Sequence, residues 1–239
     1  MYFIIMNLSV DDLQHDKFDL VKFMDTLPVI SNMMDKFQIY GILFYLKEVI
    51  DKKIAGDIVE LGCNVGTTSI FIKKFLNIYA PERNFHVYDS WEGLPPKVLQ
   101  DKSLRSDVQQ FYKGFCKTSK DVFLEAFRYF NLNPPIIHSG WFNKIPDSEY
   151  PEKICFAFYD GDFYTSITDS LNKTFHKIQS GGVIIIDDIT SERNASLPGC
   201  EQAVIDFLKD KEMSYDYGAY PDGNFNFGKS NGGAKIVKL

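Results

Sequence analysis

The chain has 239 residues, enough for one domain with a well-buried core, and 45% hydrophobic with 24% charged residues is ordinary globular usage; this excludes wholesale disorder, collagen-like repeats and coiled coils. Twenty-six Lys and Arg against 32 Asp and Glu leave a net charge of −6 and a pI near 5.3, which argues against a polyanion-binding surface, so nucleic acid is not an expected partner. In chain order, residues 1–50 read as helical, with Ile39, Ile42, Leu43, Leu46, Val49 and Ile50 at helical spacing and Ala55-Gly56 closing the segment. A short apolar strand at 58–61 then runs into Gly62-Cys63-Asn64-Val65-Gly66 and a helix over 67–77, the strand, glycine loop and helix that open a nucleotide-binding α/β unit. A second strand is expected at 85–89, an aromatic-rich helix at 121–130, a third strand at 136–138 and a fourth at 155–160. A helix over 165–178 is stopped by Gly181-Gly182, and the strand at 183–186 is so uniformly apolar that both its faces must be covered. One more helix at 199–208 and a closing hairpin ending in 235–239 complete a single doubly wound, Rossmann-like α/β domain over 1–239, with a mostly parallel sheet and residues 1–50 as a helical lid.

The residues at the strand ends carry the chemistry. Glu60-Leu61-Gly62-Cys63-Asn64-Val65-Gly66 lacks the middle glycine of a dinucleotide fingerprint and has no Walker lysine, so phosphate cradling is not its evident task. Its glycines let the backbone approach a ligand, Glu60 is placed to receive an ammonium group, and Asp89 at the end of the second strand can hold two ribose hydroxyls. Alone the loop is equally a tight turn; with Asp89 it points to a nucleoside. Asp160 ends the fourth strand and Asp187-Asp188 the fifth, neighbours beside the glycine loop if the sheet runs 3-2-1-4-5. Three carboxylates without Cys or His suit a hard divalent cation, Mg²⁺ before Mn²⁺ or Ca²⁺, although an Asp pair can also simply end a strand. Asp162 either reaches a substrate hydroxyl or caps the helix after it. His138 is either a second base lining an adenine pocket or a core or rim histidine, His86 reads as structural, and His15 and His176 carry no signal. Trp91 and Trp141 follow strand ends and either pack on ligand or fill the core. Asn133-Pro134-Pro135-Ile136 imitates a base-methylation motif but precedes the third strand instead of following the fourth, so base methylation is disfavoured.

Six blocks in order, Asp57-Ile58-Val59-Glu60-Leu61-Gly62, Tyr88-Asp89-Ser90-Trp91-Glu92-Gly93-Leu94-Pro95, Ser139-Gly140-Trp141-Phe142 with Ile145-Pro146, Asp160-Gly161-Asp162-Phe163-Tyr164-Thr165-Ser166, Gly181-Gly182 with Asp187-Asp188, and Pro198-Gly199-Cys200-Glu201-Gln202-Ala203-Val204, resemble the macrocin O-methyltransferase family over residues 57–207. The resemblance implies a class I methyltransferase fold with a seven-stranded sheet, S-adenosylmethionine as methyl donor, Mg²⁺, and a sugar or glycoside hydroxyl as acceptor. Candidate cofactor-binding residues are then Glu60, Gly62, Cys63, Asn64, Gly66, Thr67, Asp89, Ser90, Gly140, Trp141 and Asp160; candidate metal ligands are Asp160, Asp187 and Asp188. The resemblance favours Asp162 as the general base, with His138 as the other catalytic candidate, and a homodimer would be unsurprising for the family. This chain departs from the family pattern at Phe158-Tyr159, where a more aliphatic run ending in Arg or Leu is usual. Methylation of a catechol-type vicinal diol needs the same chemistry and stays open, as does a catalytically silent cofactor-binding module. A Rossmann oxidoreductase is disfavoured by the loop pattern and by the lack of a Tyr-x-x-x-Lys pair. Substrate selection is expected in the N-terminal segment and in loops 91–112 and 189–197.

Cys63, Cys116, Cys155 and Cys200 lie far apart with no CxxC, and read as buried thiols of a reducing compartment. The short apolar run at 2–6 has no cationic start or cleavage site, and no stretch reaches ~18 apolar residues, so a cytoplasmic protein without membrane contact is the expectation. The Asn-X-Ser/Thr triplets at Asn7, Asn172 and Asn194 are then chance matches.

Overall fold

The computed structural model describes residues 18–103, 111–190, 196–224 and 232–239. His15, the apolar run at 2–6, the triplets at Asn7 and Asn194, and parts of the expected lid and of loops 91–112 and 189–197 lie outside the described residues. The elements in order are α1 (Leu20–Met24), α2 (Lys36–Asp51), β1 (Asp57–Leu61), α3 (Thr67–Tyr79), β2 (Phe85–Asp89), α4 (Lys120–Tyr129), β3 (Ile136–Ser139), β4 (Ile154–Tyr159), α5 (Tyr164–Thr174), β5 (Ile178–Ile186), α6 (Pro198–Leu208), β6 (Asp216–Tyr217) and β7 (Ala234–Val237).

The seven strands form one sheet in the order β3-β2-β1-β4-β5-β7-β6. The first five are mutually parallel, and β7 runs antiparallel between β5 and β6 as the terminal hairpin. Chain order reverses between β1 and β4, so the crevice at their C-terminal ends is the switch point where doubly wound sheets take ligands. Central strands pack on both faces. Ile58, Val87, Phe156, Phe158 and Ile185 face a core shared with α2 and α3, whereas Val59, Leu61, Ala157, Tyr159, Ile184 and Ile186 face one shared with α5 and α6. This two-sided burial is why β4 and the end of β5 read as unbroken apolar runs.

Three expectations are corrected. The helical face of Ile39, Ile42, Leu43 and Leu46 is fully buried, and α2 is a core layer helix. The stretch between α1 and α2, through Asn32 and Met33, lines the site, and the first turn of α2 reaches it through Gln38. The pair Gly181-Gly182 does not end a helix but lies inside β5: Ile154 pairs with Ile178 and Phe156 with Val183, so the intervening residues of β5 bulge out, with Gly181 at φ 78°. Cys116 is half-buried where the other three free thiols are buried. Among the described residues no helix is long and apolar enough to cross a membrane.

Candidate functional site

The glycine loop begins where β1 ends beside β4. Gly62 N donates to Tyr88 O at 2.9 Å, and Asp160 N donates to Leu61 O at 2.9 Å, which stitches three strand ends together. A Cβ on Gly62 would sit 1.9 Å from Asp160 O, and its φ is 92°, so the close backbone approach admits only glycine. Asp89 then anchors the loop: Oδ2 accepts from Cys63 N (3.0 Å) and Asn64 N (2.9 Å), and Oδ1 accepts from Trp91 N (2.7 Å). Both lone pairs of Oδ2 are thereby filled. Oδ1 keeps one, which corrects the expectation that Asp89 holds two hydroxyls by itself.

At the neighbouring strand ends, Asp160, Asp187 and Asp188 bring one carboxylate oxygen each within 4.8 Å of one another. Asp187 is held from two sides: Oδ1 accepts from Tyr220 Oη at 2.7 Å and from Gln38 Nε2 at 3.4 Å. Gln38 is itself placed by the capping box at the start of α2, where Asp35 N donates to Gln38 Oε1 at 2.8 Å. Burial, followed by repulsion from Asp187, pushes Asp160 and Asp188 well above the usual carboxylate range. Burial also raises Asp187, opposed by the hydrogen bonds from Tyr220, the Asp188 backbone and Gln38. Asp162 is pushed up to about 7, by burial first and then by Asp187 and Asp89. Oxygen-only donors at this spacing fit a hard divalent ion, which would remove the repulsion that raises them.

All of this opens onto one cavity of about 820 Å³. Of the expected residues, Gly62, Asn64, Asp89, Ser90, Gly140, Trp141, Asp160, Asp162, Asp187 and Asp188 line it. Its remaining wall comes from the stretch 92–98, from Phe111, Lys113 and Cys116, from 142–144, and from Thr165, Ser166 and Asp169 on α5. Burial and the surrounding aspartates push the Cys116 thiol up to about 12, which keeps it neutral.

Six expected residues are not in that wall. Glu60 is buried behind the loop, where Ser69 Oγ of α3 donates to its Oε2 at 2.5 Å, and burial lifts its carboxyl to about 8; it is protonated at neutral pH and offers an ammonium no charge. Cys63 contributes its backbone N–H to Asp89, its side chain packing in the core. Gly66 precedes α3 at φ 89° as its N-cap, and Thr67 Oγ1 donates to Ser31 Oγ at 2.9 Å. His138 spends both ring nitrogens elsewhere, on His86 at 3.0 Å and on Glu149 at 2.9 Å, which removes it as a base for this cavity. Trp91 packs on Phe123 at 5.5 Å and donates to Ser139 Oγ at 3.1 Å, leaving Trp141 as the indole of the cavity wall. Sequence reasoning missed Gln38 and Tyr220. The Asp-x-x-Gln capping spacing at 35–38 was a readable signal for Gln38's position but not for its partner.

Comparison with known proteins agrees with this geometry. The macrocin O-methyltransferase (TylF) family profile matches residues 9–219. An 8-demethyl-8-(2,3-dimethoxy-alpha-L-rhamnosyl)-tetracenomycin-C 4'-O-methyltransferase from Streptomyces olivaceus is 24% identical over 183 residues, covering 75% of this chain and 68% of that protein. A demethyldecarbamoylnovobiocin O-methyltransferase from Streptomyces niveus is 25% identical over 167 residues, covering 68% of this chain and 62% of that protein. The matched stretch thus spans about two thirds of these relatives. The solved structure of the O-methyltransferase NovP shares the fold with a TM-score of 0.71 at 20% identity, covering 95% of this chain and 91% of that one. The chain belongs to the macrocin O-methyltransferase family.

Proposed function

We propose that the chain, acting as one catalytic unit, transfers a methyl group from S-adenosylmethionine to a hydroxyl of a sugar or glycoside, with Mg²⁺ held by Asp160, Asp187 and Asp188. The observation that carries this reading is the acidic cluster opening onto the same cavity as the glycine loop, with Asp162 in the same wall and close enough to feel both Asp187 and Asp89. Both relatives named above are O-methyltransferases, and the name of the first carries a rhamnosyl group on its acceptor, which supports the acceptor class.

S-Adenosylmethionine supplies a methyl already activated on a sulfonium, and Mg²⁺, when bound, supplies Lewis acidity that lowers the pKa of an acceptor hydroxyl. The protein's share is alignment and proton management. Gly62 and Asn64 present backbone to the nucleoside, and Asp89 takes one ribose hydroxyl on the free lone pair of Oδ1. Tyr220 and Gln38 hold Asp187 in place, so the ligand set is ordered before the substrate arrives. Asp162 takes the hydroxyl proton as the oxygen–carbon bond forms and the sulfur–carbon bond breaks, S-adenosylhomocysteine leaving with the sulfur's electron pair; burial prepares Asp162 by raising its proton affinity toward neutrality. The stretches 92–98 and 142–144 wall off water and hold the acceptor in line.

The test is a methyl-transfer screen over sugar, glycoside and phenolic acceptors with Mg²⁺ or with a chelator. Sugar methylation that the chelator abolishes, together with a raised Mg²⁺ requirement in Asp187→Asn, is the expected result. Turnover that ignores the chelator sinks the metal assignment, and turnover confined to phenolic diols sinks the acceptor class.

A further inference from the structure

His86 on β2 and His138 on β3 stand side by side near the sheet edge, their rings parallel within 8° and His86 Nδ1 3.0 Å from His138 Nε2. The line continues at both ends. His86 Nε2 lies 3.5 Å from Asp57 Oδ2 at the start of β1, and His138 Nδ1 lies 2.9 Å from Glu149 Oε2 in the 3-10 turn Asp147–Glu149. The His138 ring stacks on Tyr88 at 4.5 Å, and Tyr88 stacks on Tyr150 at 4.5 Å. Both tyrosines tie down the segment that carries Glu149: Tyr88 Oη donates to Glu149 O, and Tyr150 Oη to Phe142 O, each at 2.9 Å. That same segment supplies Gly140, Trp141, Phe142 and Lys144 to the cavity wall.

Counting hydrogens shows what this arrangement lacks. Asp57–His86–His138–Glu149 has three links, each needing one proton, but two neutral imidazoles carry only two N–H groups. With His138 donating to Glu149 and His86 donating to His138, His86 Nε2 is a bare lone pair 3.5 Å from a carboxylate oxygen; the nitrogen is buried and makes no hydrogen bond in this geometry. Reversing both tautomers turns an N–H toward Asp57, at ion-pair rather than hydrogen-bond geometry, and strands Glu149 instead. One extra proton keeps both hydrogen bonds and places a charged ring 3.5 Å from Asp57 Oδ2.

We propose that His86 and His138 form a single positioning unit that shares one proton between Asp57 and Glu149 and, through Glu149, sets the wall segment 140–150 of the cavity. Neither ring touches a reacting group, so both are positioning residues. The titratable groups facing the pair are Asp57 from β1, Tyr88 from β2, Glu149 from the 3-10 turn and Tyr150 after it. Burial holds His86 below the usual histidine value of 6.5, with Asp57 pulling it up and His138 pushing it down.

Ring-nitrogen NMR of the full chain, titrated over roughly pH 5–8 around the histidine range, reads the proton directly. Glu149→Gln is expected to shift the titration of His86, a ring that Glu149 does not touch. A His86 titration unmoved by Glu149→Gln overturns the shared proton. The positioning role rests on the cavity being the cofactor pocket and is read as affinity for S-adenosylhomocysteine by calorimetry. His138→Gln can accept from His86 and donate to Glu149, so it should bind within about 2-fold of wild type, whereas His138→Leu should bind about 10-fold more weakly, the effect of one buried partner left unpaired. Wild-type affinity in His138→Leu overturns the positioning role. If that variant fails to fold, the half-exposed Glu149→Gln decides it, with several-fold weaker binding expected and unchanged binding overturning the role. A wild-type chain that binds no S-adenosylhomocysteine removes the positioning role along with the proposed function, and leaves the shared proton to the NMR result alone.

Discussion

Asp162 and Asp188 sit at φ 61° and 59°, in the left-handed region that most side chains avoid and that Asp tolerates best. Two such residues at adjacent strand ends hold carboxylates in the cavity wall at some backbone cost, a pattern that marks functional sites. They are assigned different work, and substitution separates them. Asp162→Asn should leave S-adenosylmethionine affinity and the Mg²⁺ requirement near wild type while turnover falls by about 10²–10⁴, the usual contribution of a positioned base. Full turnover in Asp162→Asn would move the proton to water or to another group. Tyr220 has no part in proton transfer on this reading. Its hydroxyl donates to Asp187 while its ring packs against Gly41 and Gly233, so Tyr220→Phe keeps the packing and removes one hydrogen bond. The expected result is a Mg²⁺ half-saturation raised about 10–100-fold, as for other partners that orient a metal ligand, with cofactor affinity unchanged. An unaltered Mg²⁺ titration would show that Asp187 needs no such support.

At the scale of elements, β1, the glycine loop and α3 act together because Gly62 lets β1 and β4 close on each other. Gly62→Ala puts a Cβ 1.9 Å from Asp160 O, a backbone atom that cannot swing aside, so the strand ends must part. A loss of about 3 kcal/mol or more in urea unfolding is expected, with cofactor binding lost as well; a near-wild-type midpoint would mean that the loop has slack. This unit was readable from the sequence because each of its parts is local: an apolar run, glycines, an acid at the next strand end. The central strands were readable for the same reason, since uniform burial leaves an unbroken apolar run at 154–159. What was misread depends on contacts distant in the chain. Periodicity shows that α2 has a buried face but not which layer it joins, and glycine marks helix ends and strand bulges alike, so Gly181-Gly182 was assigned to the wrong one. Gln38 and Tyr220 meet Asp187 across separations that no local pattern records. The burial of Glu60 was closer to reach: alternation along β1 puts it on the face of Ile58, toward α3, away from Val59 and Leu61.

For the whole molecule, the balance of buried carboxyls sets how stability responds to pH, and Glu60 gives the cleanest measure because it lies outside the cavity wall. Its carboxyl is raised from the ordinary 4.5 to about 8 in the folded chain, chiefly by burial. Between those values the folded state holds a proton that the unfolded state has released, so unfolding releases a proton and stability falls as pH rises through the window. Below it both states are protonated and the term vanishes; above it the full penalty of a buried carboxylate remains. The shift corresponds to an upper bound on the order of 5 kcal/mol. Glu60→Gln keeps an acceptor for Ser69 Oγ and has no proton to lose, so it should match wild type near the acid end and grow steadily more stable relative to it toward pH 8. Urea unfolding of both proteins across that range, with a chelator present so that the aspartate cluster contributes equally, measures the difference. A stability difference that does not change with pH would mean that Glu60 ionises in the fold as it does in water, and that water or an unrecognised donor reaches it behind the loop.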